Sequence, residues 1–178
     1  MRNRKAFTLI ELLIALAIVG ILALVSTTNL VSWLNRSAAV GFQRELLSKS
    51  NDARTRAMGS NRQQRLFINL GTNSVTLQSG NSGTGSTVWT NVGDTLVGNR
   101  GAGLQSVVAD LVPGTVSPPS TISFIYHPGG QVSSQDNAAT IRPLVQARIR
   151  LTAENPADQA TLRLFGWTSK ARLEHGWP

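Results

Sequence analysis

The chain has no cysteine, which excludes disulfides, thiolate metal sites and thiol nucleophiles. An exported domain built from it must therefore hold together by packing alone. Histidine occurs only at His127 and His175, and no His or carboxylate pair shows ligand spacing, so no donor set for a metal is legible. Proline is absent before Pro113, and nothing of that kind interrupts a helix in the first half of the chain. Aromatic residues are scarce at 6%, whereas glycine occurs 16 times, a balance that leans towards β structure with many turns. The glycines of Gly80–Gly85 have no lysine after them and no strand-to-helix frame, which argues against a phosphate loop. His127 with Ser123 or Ser133 is the nearest approach to a nucleophilic site. No acid stands in a defined relation to it, and a turn histidine is the preferred reading. The expectation is a protein without enzymatic activity, metal or cofactor.

What the chain does have is the run Phe7–Val25, nineteen residues with a single charge, Glu11. Arg2, Arg4 and Lys5 stand just before it. As a helix the run measures about 28 Å, close to the hydrocarbon thickness of a bilayer. A carboxylate inside such a segment is costly in lipid and implies a second environment with a positive partner. A secretory signal has a shorter apolar core, and a plain anchor explains the length but not the acid. Flanking Lys and Arg stay cytoplasmic, so everything after Val25 is expected on the outer face of a single-pass segment.

Acidic residues number 9 against 17 basic ones, a net charge of +8 in 178 residues. Losing Arg2, Arg4 and Lys5 would leave 14 basic residues and a balance of +5. One group, Arg36, Arg44, Lys49, Arg54, Arg56, Arg62 and Arg65, follows the second part of the expected helix. Another, Arg142, Arg148, Arg150, Arg163, Lys170 and Arg172, lies near the C-terminus, where Arg148 and Arg150 share a strand face. Exposed cations of this kind neutralise phosphates and bind nucleic acid in a salt-sensitive way, but they also serve as a solvated face.

After Val25, Leu30, Leu34, Ala38, Phe42, Leu46, Ala53 and Ala57 keep near one helical face, opposite Asn35, Arg36, Gln43, Arg44, Lys49 and Asn51. The spacing predicts one helix from about Phe7 to Met58, loosened at Gly20 and at Ser26-Thr27-Thr28-Asn29 and ended by Gly59-Ser60-Asn61 with Gly59 as cap. Beyond residue 62 the period becomes two. Arg65–Leu70 and Ser74–Gln78 read as a hairpin, followed by a flexible Gly/Ser loop to Thr87. Val88–Val92 and Leu104–Leu111 are weaker strands. Pro113–Pro119 is a connection, and Thr121–Tyr126 is a strand closed by the turn His127–Gly130. Leu144–Thr152 and Thr161–Thr168 alternate around a turn at Asn155–Asp158, and Lys170–Glu174 is a last short strand or tail.

Lys5-Ala6-Phe7-Thr8-Leu9-Ile10-Glu11-Leu12-Leu13 resembles the leader and N-terminal core of type IV pilins and type II secretion pseudopilins. The resemblance implies cleavage between Ala6 and Phe7 by a prepilin peptidase/methyltransferase, methylation of Phe7, and pairing of Glu11 with the amine of a neighbouring subunit. It departs from the usual pattern in one place, with Ala6 where glycine normally precedes the cut. Ala53-Arg54, Ala57 and Asn61 before a strand, then Phe124, Pro128-Gly129-Gly130 and Gly166, loosely resemble the FimT/GspH group of minor pilins and pseudopilins. The implied fold is α+β, a long N-terminal helix packed on a small antiparallel sheet. The expected organisation is a leader 1–6, a membrane or filament-core helix 7–25, an amphipathic helix 26–58 and a β-rich domain 59–178. The expected role is a structural subunit of a pilus or pseudopilus, partnered by other subunits and held first in the inner membrane. The alternative is a DNA-binding minor pilin of a competence pilus, with Arg148, Arg150, Lys170 and Arg172 as contacts. Lys170-Ala171-Arg172 beside Trp167 and Trp177 is only a partial likeness, because no run of arginines follows Gly166.

Overall fold

The computed structural model describes residues 8–136 and 140–175, without the side chains of 22–29. It divides into two compact units, 1–34 and 35–178. A single helix, α1, runs from Leu9 to Ser60. In the first unit the described apolar side chains from Leu9 to Ile21 are all exposed. No helix among the described residues is long and apolar enough to cross a membrane. The described side chains of the apolar run, Thr8 to Ile21, amount to about 21 Å of helix, short of a hydrocarbon core of about 30 Å.

In the second unit α1 buries a stripe of Ala39, Phe42, Leu46, Ser50, Ala53 and Ala57, at successive spacings of three and four. Two expectations shift here. Leu30, Leu34 and Ala38 lie outside the buried stripe, which begins at Ala39. Gln43, read as surface, is buried, and its amide is satisfied there by donating to the Asp158 carbonyl at 2.5 Å. The helix also ends later than expected. Asn61, at φ +51°, is the left-handed residue after the last turn, so the cap is Asn61 rather than Gly59.

The strands are β1 Gln64–Asn69, β2 Ser74–Gly80, β3 Trp89–Asn91, β4 Leu96–Val97, β5 Gly103–Leu111, β6 Thr115–Val116, β7 Thr121–Tyr126, β8 Val132–Gln135, β9 Ile141–Thr152, β10 Ala160–Phe165 and β11 Ala171–His175. All pair antiparallel, in the order β11-β10-β9-β8-β7-β1-β2-β3, with β4 on β2, β5 on β9 and β6 on β5. The sheet is thus larger than the small one expected, and β8, β4 and β6 were not legible as strands. Both expected hairpin strands are present, with Leu66 opposite Leu77 and Ile68 opposite Val75.

Strand β9 joins two halves of the sheet. Ile141–Pro143 pairs with β8, and from Leu144 onward the strand lies between β5 and β10. A bulge at Asp110/Leu111 resets the alternation there, so that Ala147, Ile149 and Leu151 face the core while Gln146, Arg148 and Arg150 face outward. The core combines the helix stripe with Leu66, Ile68, Leu77, Phe124, Tyr126, Ile149, Leu151 and Leu162. Polar contacts pin the helix at its margin: Arg36 pairs with Asp158 at 3.2 Å, and Asn35 hydrogen-bonds Glu154.

Candidate functional site

Of the residues expected to carry processing, Ala6 and Phe7 lie outside the described residues. Glu11 stands in the first turn of α1, where Thr8 and Glu11 satisfy each other. The Thr8 backbone N–H and hydroxyl both donate to Glu11 Oε2 at 2.9 Å, and the Glu11 N–H donates to Thr8 Oγ1 at 3.3 Å. This is a capping box, in which two N-terminal amides gain partners from two side chains three residues apart. The T-x-x-E spacing was visible in the sequence as a helix-start signal but was absorbed into the reading of the apolar run.

The C-terminal basic residues come together on the outward face of β9, β10 and β11. Arg148 is directly opposite Arg163, and Arg163 is directly opposite Arg172. Three guanidinium-bearing positions thus stand in one row across three strands, about 4.8 Å apart per strand. Arg150 lies one outward position along β9, in the row Ser106, Arg150, Thr161, Glu174. Lys170 immediately precedes β11, beyond the turn that carries the exposed Trp167. Arg163 was grouped with the basic residues in sequence but not singled out, because cross-strand register is not written in either strand alone.

Like charges directly opposite each other are unfavourable, and the face compensates for this. Arg148 reaches Asp110 Oδ2 at 3.5 Å, and Arg163 reaches Glu174 Oε1 at 3.3 Å. Gln146 ties the two together, accepting from Arg163 at 3.2 Å and donating to Asp110 at 2.9 Å. That donation from Gln146, helped by Thr115 and Arg148 against partial burial, holds the Asp110 carboxyl below its ordinary range. Arg163 also lies over the Phe165 ring, 5.8 Å from its centroid. With Lys170, the face carries five cations against two acids.

His127 and Ser133, separated by six residues, are brought to 2.9 Å between Nε2 and Oγ. The ring's other nitrogen, Nδ1, lies 3.1 Å from Gln63 Nε2. Gln63 Oε1 accepts the Ser86 N–H at 2.7 Å, which fixes the amide so that its NH2 donates to Nδ1. The imidazole proton is therefore assigned to Nε2 and points at Ser133. A ring in this state donates to the hydroxyl and does not take its proton, so Ser133 is not an activated nucleophile. Burial lowers the His127 pKa and favours the same neutral form. The cluster is a tie between the helix–strand joint, the Ser82–Ser86 loop and β8. It holds in place the loop that the sequence suggested was flexible. Among the described residues no group of three or more His, Asp or Glu side chains is placed to hold a metal.

Residues 1–27 match the family model described as the prokaryotic N-terminal methylation motif. No curated protein and no solved structure matches the chain. Together with a long N-terminal helix whose second half packs on an antiparallel sheet, the motif supports a type IV pilin-like subunit, processed by a prepilin peptidase and assembled with other pilins.

Proposed function

We propose that the chain is a minor pilin or pseudopilin, inserted in the inner membrane by Phe7–Val25, cut before Phe7 and then drawn into a helical filament. The observation that carries this reading is one acid, Glu11, in the otherwise uncharged apolar run Phe7–Val25 inside the methylation motif. In lipid the Thr8–Glu11 box gives the carboxylate two donors from its own subunit. In a filament core, apolar packing replaces lipid and the Phe7 amine of an adjacent subunit supplies the opposite charge. An uncompensated buried charge is strongly unfavourable, so the pair fixes axial register. The likeness to the FimT/GspH group supports a minor rather than a major subunit. Mass spectrometry of the mature protein tests the first step: the expected N-terminus is a methylated Phe7, and an intact Met1 or any other start overturns the reading.

A second reading has its own observation, the row Arg148–Arg163–Arg172 with Arg150, Lys170 and the exposed Trp167 at its side. Such a surface suits the phosphates and bases of DNA. Asp110 and Glu174 within the same face oppose it. A gel shift of the full chain in detergent at low and moderate salt decides the matter. Salt-sensitive binding that disappears in Lys170→Ala/Arg172→Ala favours the DNA role, and no shift at low salt rejects it.

A further inference from the structure

Between the apolar run and the buried stripe of α1 lies a short segment that neither accounts for. Leu30, Val31 and Trp33 are 56%, 52% and 63% exposed, and all three belong to the first unit. Singly exposed apolar residues are ordinary, but three within four positions, one of them tryptophan, need a partner. Their place along the helix limits what that partner is. Trp33 lies 24 residues after Leu9 on a continuous helix, about 36 Å along the axis. At a typical tilt of about 20° this spans about 34 Å of membrane depth. With the anchor beginning at Phe7, Leu9 sits about 3 Å inside the inner edge of a hydrocarbon core of about 30 Å, and Trp33 falls about 7 Å outside the opposite edge. That is the headgroup layer, where the amphipathic indole is favoured because its ring is apolar and its N–H is wetted.

We infer that Trp33, with Leu30 and Val31 beside it, anchors α1 in the lipid headgroup layer on the side of the bilayer away from the basic leader. The inference rests on the membrane-inserted reading above and adds a fixed depth to it. The indole then acts as a stop that sets how far the helix sits in the membrane before assembly. Asn29, immediately before Leu30, is placed by the same arithmetic at the boundary of the hydrocarbon.

The test uses the full chain in phosphatidylcholine vesicles containing phosphatidylglycerol. Trp89→Phe, Trp167→Phe and Trp177→Phe leave Trp33 as the single fluorophore, and the lipids carry bromine either near the headgroup or deep in the acyl chain. The expected result is stronger quenching by the shallow bromines. Stronger quenching by the deep bromines overturns the inference, because it puts Trp33 in the hydrocarbon. No quenching by either, in vesicles that keep the protein through an alkaline wash, leaves the membrane anchor standing and overturns the headgroup contact. That pattern, combined with concentration-dependent self-association, would give the surface to a second copy. Release by the alkaline wash removes the anchor reading itself, and the inference with it. Should the triple variant fail to fold, Val31→Cys in this cysteine-free chain carries a spin label whose depth is read directly, with the same expected position.

Discussion

Both the backbone N–H and the hydroxyl of Thr8 donate to one carboxylate oxygen of Glu11, at 2.9 Å each. The acid is thus satisfied within its own subunit, and the assembly proposed above exchanges these donors for an amine. Glu11→Gln keeps the size and hydrogen bonding of the side chain but cannot attract a cation. It is expected to leave membrane insertion unchanged and to remove most sheared filament, measured by immunoblot of the sheared fraction. Assembly at wild-type efficiency would sink the registry role of Glu11.

The buried pair Ser50 and Tyr126 gives a second test. Their hydroxyls lie 2.7 Å apart with both residues almost fully enclosed, and burial pushes the phenol well above its ordinary pKa. Either Ser50→Ala or Tyr126→Phe leaves one buried hydroxyl unpartnered and is expected to cost about 1–3 kcal/mol. The double variant removes both groups and is expected to cost less than the sum. A double-mutant cycle by urea unfolding measures the coupling, and strict additivity would refute it.

Stability is expected to fall with acid through His127. Burial lowers its folded pKa below the unfolded value of about 6.5, so the unfolded chain binds the proton more readily. The contribution is therefore complete above about pH 6.5 and is lost as pH falls from there through the folded pKa. Protonation also turns Nδ1 into a donor facing the Gln63 amide, and Asn61, Ser82, Thr84 and Gln131 around the ring bring no charge to offset it. Thermal melts from neutral to mildly acidic pH should show this slope, and His127→Asn should flatten it. An unchanged slope in that variant would remove His127 from the account.

Gly166 is required by space. A Cβ there would lie 1.7 Å from the Leu144 carbonyl oxygen, at the point where β10 leaves β9. Gly166→Ala is expected to destabilise the protein by about 3 kcal/mol or more, since backbone rather than a movable side chain must give way. Denaturant titration measures it, and a change below about 1 kcal/mol would mean the local strands shift freely.

Much of this was legible from local pattern. Arg65–Leu70 and Thr121–Tyr126 were legible as strands from their apolar and β-branched runs, β1 lying one residue earlier than read, and the hairpin at Gly71-Thr72-Asn73 follows from turn chemistry. Strand β8, VSSQ, was missed because two serines carry no apolar period, although Ser134 faces the core opposite Phe124. β5 looked weak and proved to be a nine-residue strand along β9, its alternation broken by a bulge that only the partner explains. The Gly59 cap was displaced to Asn61 because the helix continues two residues further, and asparagine tolerates the left-handed conformation well enough to end it there.

The amino-acid order alone determined the apolar N-terminal run, the basic residues just before it, the solitary Glu11 and the change from helical to strand period. All of these are set by neighbours along the chain. Only the folded protein decided that Arg163 stands between Arg148 and Arg172, that Gln43 and Ser50 are inside, and that His127 donates to Ser133. Each of those depends on which residue lies opposite across a sheet or beneath a helix, and register between distant segments is fixed by packing the whole core at once.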